Sequence, residues 1–301
     1  MVTLTWLDAL SDDSADDSAD GAAVRALLRA AGEHDGRPEV DADGPLPREF
    51  RGGRHLLATD TDGSVVGYAH LDTGGDAFGN GVVELIVAPD RRRAGVGGRL
   101  VAEVLTVDGP LRLWSHGDHP GAVALAKRHG LARVRELLRM RLGPGGELPE
   151  RALPGHLRLR TFEPGRDEDA VIGVNARAFD WHPEQGQLSV EELVATEGES
   201  WFDPAGFFLA VDGDDDRDRV VGFHWTKVHP DGIGEVYVVG VDPDAQGGGL
   251  GTALTLVGLR HLRESGIDEI ILYVESDNAP AVAVYTRLGF TVAETDVSYQ
   301  R

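Results

Sequence analysis

The chain has 301 residues, of which 41% are apolar and 27% charged, and its formal net charge is −22. That length allows two domains with full hydrophobic cores, and that charge repels nucleic acid and anionic lipid. It contains no cysteine, which excludes disulfides, thiolate metal sites and a cysteine nucleophile.

No apolar run reaches the roughly 18 residues that a membrane-spanning helix needs. The opening stretch "MVTLTWLDALSDDSADDSAD" lacks the basic and apolar regions of a signal peptide. A cytoplasmic monomer with no nucleic-acid or membrane partner is expected. The acidic runs Asp12–Asp20 and Asp212–Asp218 read as solvated surface.

In chain order, the first half predicts a helix and then a strand hairpin, "HLLATD" (55–60) and "VVGYAHLD" (65–72), joined by the turn residues "TDTDGS". "LIVAPDRRRAGVGGRL" (85–100) reads as a strand end, a glycine-rich loop and a helix start. "LRLWSH" (111–116) is a strand, and "AVALAKRHGL" (122–131) is a helix closed by glycine. "GPGGELPERALPGH" (143–156) is rich in Gly and Pro and lacks periodicity, so a domain boundary is expected there, between residues 1–145 and 154–301.

The second half repeats the first. "FFLAVD" (207–212) and "VVGFHWTK" (220–227) flank the turn "DGDDDRDR". "VGVDPDAQGGGLGTAL" (239–254), "EIILYVES" (269–276) and "AVAVYTRLGF" (281–290) follow in the same order. Pro89 matches Pro243, Gly95 matches Gly249 and Gly97 matches Gly251, an offset of 154. Each half is therefore mixed α/β (α+β), with a largely antiparallel sheet and one βαβ-like crossover.

The crossover carries the chemistry. Gln246–Gly251 spell Q-x-x-G-x-G and Arg92–Gly97 spell R-x-x-G-x-G, each between a strand end and a helix. Backbone N–H groups of such a loop, with the partial positive charge of the helix N-terminus, cradle phosphate, and glycine lets the oxygens approach. No Gly-Lys-Ser/Thr follows, so this is not a P-loop. The acidic residue of a dinucleotide fingerprint is also missing.

The arrangement resembles the GCN5-related N-acetyltransferase (GNAT) superfamily over both halves. The second half, through "HPEQG" (182–186), "WFDPAGFFLA" (201–210), "GFHWTKVHP" (222–230), "GEVYVVGVDP" (234–243) and "LYVESDNAPAVAVYTRLGF" (272–290), is similar to the mycothiol synthase family, whose members are tandem GNAT proteins. The resemblance implies two GNAT-like domains and acetyl-CoA as co-substrate, with no metal. It implies acetyl transfer to the cysteine amine of cysteinyl-glucosaminyl-inositol, a thiol-bearing pseudo-disaccharide, without an acyl-enzyme.

The same resemblance assigns residues. The strand end Val239, Gly240 and Val241, the loop and helix start Gln246, Gly247, Gly248, Gly249, Leu250, Gly251 and Thr252, and the last-helix start Asn278, Ala279, Pro280, Ala281, Val282 and Ala283 would hold acetyl-CoA. In the first half the counterparts are Leu85, Ile86 and Val87 with Arg93, Ala94, Gly95, Val96, Gly97 and Gly98, and Arg91 and Arg92 would also suit phosphates. Glu235 would bind substrate and act as base, and Tyr285 would be the acid that protonates the leaving thiolate.

Glu184, Lys227 and Tyr273 would contact the sugar and inositol, together with a first-domain acid. Aligning on Pro38 makes that acid Asp41, with Glu39 and Asp43 as near misses. At the repeat offset Glu235 matches Gly81, and counting back from the closing glycines Gly289 and Gly130 matches Tyr285 to Ala126, so one active site is expected, in the second half.

Several of these residues have plain structural readings. Asn278 reads equally as a helix N-cap, Lys227 as a snorkelling edge lysine, Glu184 as a turn residue and Tyr273 as core packing. His224 and His229 fall on opposite faces of a strand, which argues against a metal site. Acetylation of another amine, such as a peptide N-terminus or an aminoglycoside, and a non-catalytic acyl-CoA sensor stay open as alternatives.

Overall fold

In the computed structural model, residues 2–10, 19–36, 50, 52–76, 78–182, 185–213 and 219–301 are described. They form two compact units. The first comprises the described residues up to Glu136 together with Asp296–Arg301, and the second is Leu137–Thr295. Among the described residues no helix is long and apolar enough to cross a membrane.

The first unit contains β1 (Thr3–Leu7), α1 (Ala19–Asp35), β2 (Arg54–Thr59), β3 (Val65–Asp72), β4 (Gly81–Val87), α2 (Val96–Val104), β5 (Leu111–Ser115) and α3 (Pro120–His129). Its sheet runs β1-β2-β3-β4-β5 and is completed by the last residues of β12 (Thr291–Gln300). Only the β4–β5 pair is parallel; β12 pairs β5 antiparallel, with Val297 opposite Ser115 and Gln300 opposite Arg112. Alternation along the strands serves two cores. Leu56, Ala58 and Ala69 pack with Leu100 and Val104 of α2, while Leu57 and Tyr68 pack with Val24 and Leu28 of α1.

The second unit contains the end of β6 (Ala132–Leu142), then β7 (Leu157–Thr161), α4 (Glu168–Ala178), α5 (Val190–Glu197), β8 (Phe207–Asp212), β9 (Arg219–Val228), β10 (Gly234–Val241), α6 (Leu250–Glu264), β11 (Ile270–Glu275) and α7 (Ala279–Arg287). Its sheet runs β6-β11-β10-β9-β8-β7, and again one pair, β10–β11, is parallel. Leu256, Leu259 and Leu262 of α6 cover one face. Val171 and Val174 of α4, with Leu193 of α5, cover Phe207, Leu209, Phe223 and Trp225 on the other.

Both halves are mixed α/β with one parallel crossover, as the repeat implied. The stretch Gly143–His156 lies inside the second unit. The chain passes between units within β6, from Glu136 to Leu137, and returns within β12, from Thr295 to Asp296. The first sheet thus ends in residues from the far end of the sequence. Gly and Pro cannot mark such a crossing, because a strand that pairs along its length excludes them.

Candidate active site

β10 carries the site, and two irregularities shape it. The first is a bulge. Val236 pairs Thr226 and Val238 pairs Trp225, leaving Tyr237 as an extra residue. Val236 consequently packs with the α6 core, while Val238, two residues on, packs with the α4 core on the opposite face. The second is a splay. β10 and β11 pair only at Gly234–Ile270 and Glu235–Ile271, so the rest of β10 loses its parallel neighbour. The β10 edge from Val239 to Val241 is then free of strand pairing on the β11 side, which is where a pantetheine arm could take backbone hydrogen bonds.

β4 behaves alike, pairing β5 at Gly81–Leu111, Val82–Arg112 and Val83–Leu113 before running on through Leu85, Ile86 and Val87. It is one residue shorter than β10 and its pairing with β3 is continuous. Register therefore matches Glu235 to Val82, not to Gly81: the bulge at Tyr237 slips the repeat by one. Either way, the first unit has no carboxylate at this position.

The glycine-rich loop follows β10. Gly247, Gly248 and Gly249 have φ of +91°, +52° and +84°, a left-handed run that side-chain-bearing residues resist, and α6 starts at Leu250 with Gly251 and Thr252 in its first turn. The Gly251 and Thr252 N–H groups in this first turn have no helical acceptor, an arrangement that suits an anion. The amide of Gln246 donates to the Val241 carbonyl at 3.4 Å, fastening loop to strand end, and at the matching position Arg92 Nε donates to the Val87 carbonyl at 3.1 Å.

Asp242 is buried at the loop entrance. Burial works to raise its pKa, but two Arg177 hydrogen bonds of 2.8 and 3.0 Å and the Asp244 N–H outweigh it and hold the carboxyl below its usual value. The loop's own sequence carries no cation. Arg151 provides one, donating from Nη2 to the Gly248 carbonyl at 3.0 Å.

Glu235 is 7% exposed, and its Oε2 lies 2.7 Å from Nε2 of His229, just beyond the end of β9. Lys227 stands opposite Glu235 in the β9–β10 register, hence on the same face. Its ammonium rests on the Trp201 ring at 4.4 Å and the Tyr237 ring at 5.2 Å, a cation–π cradle. Tyr273, 45% exposed, lies two residues beyond Ile271, the parallel partner of Glu235, so the pleat puts it on this face too. It is not core packing. Asp41 and Glu184 lie outside the described residues.

On the other face, α7 packs Val282, Val284 and Tyr285 on Leu272 and Val274 of β11. Asn278 is its N-cap, with Oδ1 accepting from the Ala281 N–H at 3.3 Å; Pro280 sits in the first turn with Ala279, and Ala283 follows in the next. The Tyr285 ring lies 5.9 Å from that of Phe290, and burial pushes its phenol up to about 12. It therefore stays protonated at neutral pH. His224 and His229 do occupy opposite faces: His224 is fully buried against α6, with Nδ1 2.8 Å from the Leu254 carbonyl.

The first unit keeps the loop but spends its charges. Arg91 pairs with Asp60, and Arg92 forms a double hydrogen bond with Asp35 at 2.7 and 2.8 Å, holding that carboxyl down at about 2. These two are thus committed to protein carboxylates. Arg93 takes a left-handed φ of +63° at the position of Gly247, followed by Ala94, Gly95 at +87°, and the α2 start Val96, Gly97 and Gly98. Past the last β4–β5 pair, Glu84 meets His116 at 3.2 Å, and His116 also meets Asp296 at 3.2 Å.

The acetyltransferase (GNAT) family profile matches residues 22–131 and 175–290, the two halves in turn. A mycothiol acetyltransferase of Saccharomonospora viridis is 61% identical over 284 residues, covering 90% of this chain and 92% of the relative. One of Actinosynnema mirum is 53% identical over 312 residues, covering 99% of each chain.

The chain belongs to the mycothiol acetyltransferases of the GNAT family. It is thus an acyltransferase, of a family that uses acetyl-CoA. Among solved structures, a GCN5-related N-acetyltransferase from Sphaerobacter thermophilus aligns with a TM-score of 0.72 at 23% identity, over 99% of this chain and 95% of that one. A tandem GNAT protein from the clavulanic acid biosynthesis pathway aligns at 0.67 and 18%, over 99% and 98%. At these identities the two structures share the GNAT fold.

Four elements of this GNAT site are missing from the sequence reading: the His229 partner of Glu235, the Trp201–Tyr237 cradle, the Arg177–Asp242 pair and Arg151. Their partners lie far off in sequence or across a bulge, as with Arg151 and Gly248, 97 positions apart. His229 is the exception, since it follows β9 directly and Glu235 is the second residue of β10.

Proposed function

We propose that the protein transfers the acetyl group of acetyl-CoA to the cysteine amine of cysteinyl-glucosaminyl-inositol, giving mycothiol. The carrying observation is the splay of β10 from β11 beyond Glu235 and Ile271. It leaves an open strand edge between an anion cradle at Gly247–Gly251 and a polar face bearing Glu235, His229, Lys227 and Tyr273. The relatives' name, mycothiol acetyltransferase, supports this acceptor.

In this reading, the loop and the α6 N-terminus take the pyrophosphate, and the Val239–Val241 backbone takes the pantetheine arm. The amine attacks the thioester directly, since the chain has no cysteine to carry an acyl group. The Glu235–His229 pair removes the proton of the amine, and Tyr285 protonates the departing thiolate across the splay. Lys227 and Tyr273, with Glu184 and Asp41, bind the polyol. The first unit holds acetyl-CoA without turning it over, having Val82 and Ala126 where the second has Glu235 and Tyr285. The protein works as a cytoplasmic monomer.

The test is incubation with acetyl-CoA and cysteinyl-glucosaminyl-inositol, with the product followed by mass spectrometry. N-acetylated product at a fast rate is expected. Bound acetyl-CoA with no product would keep the fold reading and redirect the search to other amines.

A further inference from the structure

Glu235 is deeply buried, whereas the side chain of His229 keeps 29% of its surface exposed. Their contact, Nε2 to Oε2 at 2.7 Å, is the only one recorded for either side chain among the described residues. A carboxylate can only accept, so the ring must donate Nε2–H, and this fixes the tautomer. The lone pair then sits on Nδ1, on a side chain that is partly exposed. Nδ1 has no hydrogen-bond partner among the described residues.

The surrounding charges are otherwise engaged. Lys227 of β9 lies on the Trp201 and Tyr237 rings, and Asp231, in the turn between β9 and β10, accepts from the Ile233 N–H at 3.2 Å. The His229 backbone is pinned to the same turn, donating to the Ile233 carbonyl at 2.8 Å and accepting from the Gly232 N–H at 2.9 Å. The imidazole is thus held in one place by a carboxylate behind it and a rigid turn beneath it.

Resting on the proposed acetyl transfer, we infer that His229 is a catalytic residue: its Nδ1 takes the proton of the attacking amine, directly or through one water, and Glu235 is the positioning carboxylate. The C–N bond forms, the amine proton passes to Nδ1, and the C–S bond breaks as the thiolate takes the Tyr285 proton. His229 then releases its proton to solvent and Tyr285 regains one, so the cycle closes. A neutral imidazole is a stronger base toward an amine proton than a carboxylate is. The imidazolium formed is paired at once with Glu235.

The test compares wild type with H229A and E235Q, using acetyl-CoA and cysteinyl-glucosaminyl-inositol. Product from wild type is read first, and its absence would overturn the functional reading and this inference with it. Given product, H229A is expected to lose roughly 100-fold or more in kcat/KM for the acceptor. It should keep its acetyl-CoA affinity and regain rate in proportion to added free-base imidazole, while E235Q loses rate without imidazole rescue. A residual rate within a few-fold of wild type in H229A would overturn the inference. So would a loss that imidazole does not restore with acetyl-CoA affinity intact; both leave Glu235 as the base.

Discussion

Arg151 lays its guanidinium over the loop at the start of α6, donating to Gly248 and occupying the place where a Cβ on Gly249 would stand. A cation beside the positive end of a helix gains nothing from the helix, but it suits an anion held by both. The stretch from Val239 to Leu254 contains two aspartates and neither lysine nor arginine, in a chain of net charge −22. Arg151→Ala is therefore expected to weaken acetyl-CoA about tenfold, roughly 1.4 kcal/mol. Acetyl-pantetheine, which lacks the pyrophosphate, should bind both proteins equally in calorimetric titration. An equal loss for both ligands would place Arg151 outside phosphate binding.

Gly249→Val puts a branched side chain at φ +84°, where left-handed backbone costs about 1–2 kcal/mol. The Arg151 tip can swing aside, so the backbone strain is the durable part, together with methyl groups standing in the cradle. Acetyl-CoA affinity should fall by tenfold or more and the melting temperature should drop. Unaltered affinity would reduce the loop to a turn.

Tyr285→Phe removes a proton donor and little else, because the ring keeps its contact with Phe290. Turnover should fall by about 100-fold while the dissociation constant of acetyl-CoA stays the same. The phenol titrates only near 12, so it should add no alkaline limb to the rate profile in the usual assay range. Undiminished turnover would remove the acid role.

Lys227→Met keeps the packing on Trp201 and Tyr237 but drops the charge. KM for the acceptor should rise several-fold, with KM for acetyl-CoA unmoved. If both constants hold still, the lysine serves the aromatic cluster alone.

His116 predicts a stability that depends on pH. Burial disfavours its charged form, but Asp296 and Glu84 outweigh that and raise the ring from 6.5 to about 10. A raised folded-state pKa means the contribution is whole below pH 6.5 and fades as pH climbs from 6.5 to 10. Its side chain is 45% exposed, so solvent screening keeps the effect modest. Denaturation midpoints should fall over that interval in wild type and fall less in His116→Asn. Parallel profiles would show that the three groups do not act together.

The sequence made the tandem repeat plain, because Gly95 and Gly249, both left-handed, answer a backbone demand that no neighbour can relieve. The single parallel crossover in each half was legible too, from a strand, glycine-rich loop, helix and strand in succession, whereas the outer strands β1 and β7 were not. The sequence could not give the bulge. Tyr237 looks like any strand residue, and the slip it causes is visible only in the pairing of Val236 and Val238 with β9. Nor could it give the use of charges: Arg92 and Gln246 share one motif position and one task, fastening the loop, yet Arg92 is also claimed by Asp35, 57 positions away.

The strand that closes the first sheet has a consequence for a chain emerging from the ribosome. Gly117 takes its contact from Asp296, 179 positions later, and β5 pairs with residues of that same late strand. Until those residues are made, the first half carries an unsatisfied sheet edge, open to wrong partners. Its ordering then waits on a long loop closure, which is slow. The first half, though complete in its own helices and strands up to β5, is finished only when the end of the chain arrives.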